Sequence, residues 1–187
     1  CTAIDITGAV DGYLRELDDP STPLRRGNVM ARVRMIATYD QSEAFNALVI
    51  GTSNKTELLL GYGTLHGDMA SAANPIGDLY KTQIRQLATA LELPTVILTK
   101  PPSADLWHGQ SDEAELGFTY EVADEILYLL VDRWFSQQEI VAGGYDEQLV
   151  LEISQRIKRT QFKRRPPVIA KISDRTIDRD FRYPRDW

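Results

Sequence analysis

Cysteine occurs once in this sequence, at Cys1, which excludes an internal disulfide framework and a cysteine-based zinc site. Histidine is nearly as scarce. His66 and His108 lie far apart, and neither has a Cys or His partner at metal-ligand spacing. No apolar run approaches the roughly 20 residues that cross a bilayer, and the first residues lack the basic, apolar and small-residue succession of a signal peptide. Cations are outnumbered: 21 Lys and Arg stand against 27 Asp and Glu, for a net charge of -6. That balance argues against a dedicated nucleic-acid or membrane-surface binder. There is no Gly-x-Ser-x-Gly nucleophile elbow and no P-loop spacing. Nothing points to an oxidising compartment, so the cytoplasm is the expected location.

What is present is an ordinary globular composition, 43% hydrophobic and 26% charged over 187 residues, enough for one buried domain. The chain opens without Met on Cys1-Thr2-Ala3-Ile4-Asp5-Ile6, which reads as a strand already under way. The expectation is a single domain over residues 1–187, N-terminally truncated. A helical period follows at Ala9, Tyr13, Leu14 and Leu17, then a loop over 18–23. The next helix is expected from Asn28. Ala47-Leu48-Val49-Ile50-Gly51-Thr52 reads as a buried parallel strand, a place where functional residues gather at the C-terminal end. Ser53 and Asn54 cap the helix after it, with Glu57 in its first turn.

Residues 63–76 read as a loop, and Asp78 as the cap of a helix over 79–91. Residues 94–98 are expected to form a short strand, and 100–117 a long loop. Helices are expected over 120–135, 136–142 and 145–159, with an irregular tail from Pro166 to Trp187. Alternating short strands and amphipathic helices give an α/β class with a parallel sheet and a mainly helical C-terminal half.

Three clusters carry chemistry. Arg25-Arg26-Gly27-Asn28, continuing to Arg32 and Arg34, supplies guanidinium forks suited to phosphate or carboxylate, or else a solvated, salt-bridged helix face. Gly51-Thr52-Ser53-Asn54-Lys55-Thr56-Glu57 leads a strand end into a helix N-terminus. That is an anion site with a hydroxyl at Thr52 and a Mg²⁺ ligand at Glu57, or simply a capped helix. Lys158-Arg159-Thr160-Gln161-Phe162-Lys163-Arg164-Arg165 holds five cations in eight residues. These suit phosphates, or a helix C-terminus through its macrodipole. Nucleic acid is the weaker reading, because Phe162 is the lone interleaved aromatic.

Taken in order, seven blocks resemble the NAD synthetase family over nearly the whole chain. They begin with residues 26–35 and Gly51-Thr52-Ser53-Asn54-Lys55-Thr56-Glu57 through Tyr62. Gly67-Asp68, residues 74–83 and Lys100-Pro101-Pro102-Ser103-Ala104-Asp105-Leu106 follow. Gly109-Gln110-Ser111-Asp112-Glu113 and Lys163-Arg164-Arg165-Pro166-Pro167 complete the set. The resemblance implies an adenine-nucleotide α-hydrolase-like, Rossmann-like parallel sheet. It also implies ATP-dependent amidation of nicotinic acid adenine dinucleotide (deamido-NAD) through an adenylate, with ammonia as nitrogen donor. By position, Thr52, Lys81 and Ser103 correspond to ATP contacts and Glu57 to a Mg²⁺ ligand. Asn28, Arg32 and Lys163 correspond to deamido-NAD contacts, and Asp68 to a loop acid acting on ammonia. A homodimer is implied, pairing through helices that include 28–45 and part of the C-terminal helical region, and the nitrogen could reach the site free or from a glutaminase domain or subunit. Nucleic-acid and membrane partners are not expected.

The sequence departs from that pattern in four ways. The Ser-Gly-Gly-x-Asp-Ser pyrophosphate loop and its metal-binding Asp are absent from these residues. Leu65 stands where many members have a substrate-binding Lys and Ala72 where many have Asp, and Phe162 replaces a His. The resemblance therefore implies that these 187 residues by themselves make no NAD. A non-catalytic nucleotide-binding or dimerisation remnant is the alternative, and a related ATP pyrophosphatase acting on another substrate is a further one.

Overall fold

A computed structural model describes residues 2–17, 22–107, 109–165 and 167–176. The expectations for Cys1, for most of the loop at 18–23, for His108 and Pro166, and for the end of the tail lie outside the described residues.

The chain is a succession of helices. Thr7–Arg15 forms α1 and Pro23–Ala44 forms α2. The second starts five residues before the expected Asn28. Thr22 accepts from the Arg25 backbone N–H, and Pro23 at the first helical position has no N–H to leave unpaired. Lys55–Leu60 forms α3, Lys81–Ala90 α4, Thr95–Leu98 α5 and Asp112–Leu116 α6. Tyr120–Leu127 forms α7, Gln137–Ala142 α8 and Glu147–Arg159 α9. A π-turn over Tyr128–Asp132 continues α7, and a 3₁₀ turn over Gln161–Arg164 follows α9.

Several expectations are corrected. Among the described residues no extended strand forms, so the parallel sheet is not present as a ladder. Residues 2–6 are irregular. Residues 47–52 make a single parallel bridge, Ile50 with Ala73, closed by Gly51 N–H to the Ala73 carbonyl at 2.7 Å and Ala72 N–H to the Val49 carbonyl at 2.9 Å. A strand needs a row of partners. Here one neighbouring segment meets it, and Leu48 and Ile50 stay 74% and 57% exposed. The expected strand at 94–98 is instead helix α5, launched from Pro94, whose carbonyl takes the Ile97 N–H at 2.8 Å. Asp78 does not cap α4. Tyr80 is the cap residue, and the Asp78 carboxylate lies 3.4 Å from the Lys55 ammonium. The long loop expected over 100–117 contains α6.

The core sits on the α3, α4, α7, α8 and α9 side. Leu60, Tyr80, Leu116, Phe118, Tyr120, Ala123, Ile126, Leu127, Ile140, Val150 and Ile153 form one buried cluster. The helical period explains the choice: Val150, Ile153 and Ser154 are the buried face of α9, and Tyr120, Ala123, Ile126 and Leu127 that of α7. Helix α3 ends at Gly61, whose left-handed φ of 62° suits glycine. A Cβ there would come within 2.3 Å of the Thr160 Cβ, so α9 and α3 touch at that point.

Candidate functional site

A cleft of ≈ 580 Å³ runs between α2 on one side and α3, α4 and α6 on the other. Asn28, Thr52, Glu57, Asp68, Lys81, Ser103 and Lys163 all line it, although they come from segments as far apart as 28 and 163. Arg32 does not. On α2 the lining residues are Leu24, Asn28, Ala31, Arg34, Met35 and Thr38, and Arg32 stands one residue past Ala31, about 100° around the helix. Its Nε donates instead to the Leu65 carbonyl at 3.2 Å.

The helical wall is built from the α3 N-terminus. Asn54 is buried and accepts the Glu57 N–H at 2.9 Å, while Glu57 Oε2 accepts the Asn54 N–H at 3.2 Å. This reciprocal capping holds the Glu57 carboxylate in place and leaves Oε1 to the cleft. There Lys81 Nζ donates to Oε1 at 2.8 Å. The same ammonium lies 5.1 Å from the centre of the Tyr120 ring, whose face favours a cation.

Behind Tyr120 stands a buried acid. Asp112 accepts from the Tyr120 and Tyr62 hydroxyls, both at 3.0 Å, and Tyr62 also meets Glu115 at 3.0 Å. Burial, reinforced by the Asp112 charge, pushes both phenols far above their ordinary value, so both remain donors.

Cations collect at the other end of α3, where its last carbonyls lack helical partners. Arg156 Nε donates to the Leu60 carbonyl at 3.2 Å, and Arg164 Nη1 to those of Leu58 and Leu59 at 3.1 and 2.8 Å. Lys163 Nζ donates to the carbonyls of Gly61 and Gly63 at 2.8 and 2.6 Å. Burial lowers the Lys163 ammonium below its ordinary value, against the pull of the Asp68 charge. The basic run therefore caps the C-terminus of a helix other than its own, and Lys163 and Arg156 reach the cleft while doing so.

The opposite wall is joined by hydrogen bonds. Thr64 donates its hydroxyl to Asn28 Oδ1 at 2.8 Å and its backbone N–H to Asp68 Oδ1, also at 2.8 Å. Ser103 Oγ accepts the Asp105 N–H at 3.1 Å. Gly27 lets α2 close on this wall: a Cβ there would stand 3.0 Å from the Leu106 side chain and 3.2 Å from the Trp107 ring.

Asp112, Tyr120 and Arg156 were not singled out from the sequence. Asp112 falls in the stretch expected as a loop, Tyr120 opens an expected helix, and Arg156 lies inside another, before the basic run that begins at Lys158. Their partners lie 8 to 96 residues away. For Tyr120, a tyrosine at the start of an apolar helical period was the one available signal.

The sequence pattern described as NAD synthase matches residues 1–167. An NH(3)-dependent NAD(+) synthetase of Trichlorobacter lovleyi is 56% identical over all of this chain and 68% of its own length. One from Chlorobium phaeobacteroides is 55% identical over 97% of this chain and 65% of its own. Among solved structures, NMN synthetase from Francisella tularensis superposes with a TM-score of 0.76 at 31% identity, over 90% of this chain and 66% of that one. The NH3-dependent NAD synthetase from Campylobacter jejuni does so with 0.72 at 35%, over 90% and 64%. The chain thus spans about two-thirds of the length of these relatives, and its fold is similar to that part of theirs.

Proposed function

This chain belongs to the NAD synthase family, and from that premise we propose that its cleft is the site of an ATP-dependent carbon–nitrogen ligase that converts deamido-NAD to NAD. The observation that carries the proposal is convergence: residues of α2, the Gly51–Thr52 segment, α3, α4, the 103–107 segment and the 3₁₀ turn at Lys163 meet in one cavity. The 72–73 and 49–51 segments, joined by their parallel bridge, are proposed as neighbouring positions of the family's sheet.

The reaction follows from charge. A carboxylate is a poor electrophile, so its oxygen first attacks the α-phosphorus of ATP. The Pα–O bond to the leaving pyrophosphate breaks, giving an acyl adenylate. Ammonia then adds to the activated carbonyl carbon, AMP departs with the original carboxylate oxygen, and the nitrogen sheds one proton. Thr52, Lys81 and Ser103 hold ATP, with the Lys81 ammonium offsetting phosphate charge. Asn28 and Lys163 hold the dinucleotide, with Lys163 presented to its anionic groups. Arg32 takes part indirectly by holding the Leu65 carbonyl. Asp68, its Oδ1 fixed by the Thr64 N–H, orients ammonia and takes the proton.

Glu57 fits a Mg²⁺ ligand. Its Oε1 faces the cleft, and among the described residues there is no group of three or more acids and histidines to form a complete cage. That suits an ion which draws most of its oxygens from phosphate and water. Bound there, Mg²⁺ would neutralise charge on the phosphates.

Free ammonia is the proposed nitrogen source and the cytoplasm the proposed location; no helix among the described residues is long and apolar enough to cross a membrane. A homodimer is proposed through α2, where Leu24, Ile36 and Tyr39 remain exposed, as does Phe45 just past its end.

A mononucleotide substrate is the second reading, favoured by Leu65 in place of a dinucleotide-binding Lys and by the similarity to an NMN synthetase. The relatives above 50% identity carry the dinucleotide name, which is why we prefer it. The test is product analysis of the full-length protein given ATP, ammonium and either nicotinic acid adenine dinucleotide or nicotinic acid mononucleotide. NAD, AMP and pyrophosphate formed with a higher kcat/KM for the dinucleotide support the proposal. A preference for the mononucleotide, or no amide product, overturns it.

A further inference from the structure

Helix α4 begins in an unusual way. Its first residues, Lys81 and Thr82, carry N–H groups that no helical carbonyl can take. The cap residue Tyr80 sends its hydroxyl to Asp132 instead. Both orphan donors are taken by side chains from other elements. The Lys81 N–H donates to Thr56 Oγ1 on α3 at 2.9 Å, and the Thr82 N–H to Asp124 Oδ2 on α7 at 2.8 Å. Asp124 also accepts the Thr82 hydroxyl at 2.8 Å and, through Oδ1, the Thr56 hydroxyl.

This is a relay with a direction. The Thr56 proton is committed to Asp124, so the Thr56 oxygen can only accept from Lys81. Asp124 is 4% exposed and Thr56 fully buried. The three donors to Asp124 are neutral. A carboxylate buried among neutral donors is costly unless each bond is made, so the positions of Thr56 and Thr82 are tightly fixed relative to each other. Thr56 stands next to Glu57, and Thr82 next to Lys81. Fixing the two threonines fixes the backbones from which the Glu57–Lys81 pair reaches across 2.8 Å.

We propose that Asp124 is a positioning residue for this site: it locks the N-termini of α3 and α4 together through Thr56 and Thr82, and so sets Lys81 against Glu57 at the phosphate end of the cleft. This rests on the ligase reading above, and it concerns geometry in the free protein as well.

The test uses the full-length protein and two substitutions of different kinds. Asp124→Asn keeps the shape but places an amide N–H₂ against the Thr56 hydroxyl, since the Thr82 N–H cannot turn round to accept. Thr56→Val keeps the volume and deletes the relay. Each should lower kcat by about 10–100-fold, the usual range for partners that orient a site from behind. KM for the dinucleotide, which is bound elsewhere in the cleft, should move less than about threefold. Thr56→Ser, which keeps the hydroxyl, should restore most of kcat. In a Lys81→Ala background the further loss from Asp124→Asn should shrink to less than about threefold, because the group being positioned is gone. An undiminished loss in that background, or wild-type kcat in Thr56→Val, overturns the proposal. If Asp124→Asn does not fold, the Thr56 pair decides alone. Amide exchange supplies a readout independent of activity. The Lys81 N–H should exchange about tenfold faster in Thr56→Val, the loss of one net hydrogen bond. Unchanged exchange in Thr56→Val overturns the relay even where the wild type makes NAD, while faster exchange in the variant of a wild type that makes none sustains the relay and rejects the ligase reading.

Discussion

Helix α2, which lines the cleft, and helix α7, which packs behind α3 and α4 on its other side, are held in opposite ways. Of the eight residues of α7, five are buried: Tyr120, Ala123, Asp124, Ile126 and Leu127. Of the 22 residues of α2, two are, Gly27 and Ala31. The α7 side of the cleft is therefore held by close packing, and Lys81, Glu57 and Asp112 inherit its rigidity. The α2 side is held by a few polar links, such as Arg26 to Asp11 at 2.7 Å and Thr64 to Asn28. One wall is suited to holding phosphates in a fixed geometry. The other leaves Leu24, Ile36 and Tyr39 exposed.

The comparison breaks most readily in the core. Ile126→Ala empties a fully buried position and should cost about 2–5 kcal/mol of unfolding free energy. Denaturant unfolding measures this, and a cost below 1 kcal/mol (roughly one methylene's worth) would mean the α7 wall is not packed as described.

Next in size is Lys163, which bridges the two regions by holding the α3 C-terminus and facing Asp68. Lys163→Ala should raise KM for the dinucleotide by the loss of one charge-assisted contact, about 1.5–3 kcal/mol. An unchanged KM, or tight and salt-sensitive nucleic-acid binding by the wild type, would remove Lys163 from the substrate site.

A smaller effect appears with pH. Burial depresses Lys163 below the ordinary 10.5, so the folded chain binds that proton less tightly than the unfolded chain. Stability from this group is then present above 10.5 and lost as pH falls through the depressed value. Unfolding curves should show wild type gaining stability over that rise relative to Lys163→Met. Parallel pH profiles for the two proteins would count against a buried ammonium.

The smallest expected change is Ile36→Ala on α2. At 60% exposure it should alter subunit unfolding by less than about 0.5 kcal/mol. Ile36→Asp should instead shift a dimer toward monomer in light scattering. A wild type that is monomeric at micromolar concentration would end the dimer proposal.

Much of the packed wall was legible in the sequence. The Asn54 and Glu57 capping spacing is local, and the apolar period of 145–159 reappears as α9. Short-range signals of this kind survive because their partners are three or four residues away. The strand expected at 47–52 was less secure, since a short apolar run does not distinguish a ladder from an exposed bridge. The π-turn at Tyr128–Asp132 has no sequence signature. Asp112, Asp124 and Arg156 were missed because each owes its place to distant partners: Asp124 meets Thr56 across 68 positions, and Arg156 meets Leu60 across 96. Polar residues read as surface by period become structural when a second element covers them. Arg32 differs in the opposite direction: its order in the sequence matches, while its Nε donates to the Leu65 carbonyl rather than lining the cleft.

The central claim, that this cleft activates a carboxylate as an adenylate before amidation, is tested most directly by oxygen tracing. Deamido-NAD carrying ¹⁸O in its nicotinate carboxylate is turned over by the full-length protein with ATP and ammonium, and the AMP is examined by mass spectrometry. The account predicts one ¹⁸O in the AMP phosphate for each doubly labelled carboxylate consumed, with the second retained in the amide of NAD. Unlabelled AMP, or ADP and phosphate in its place, would contradict it.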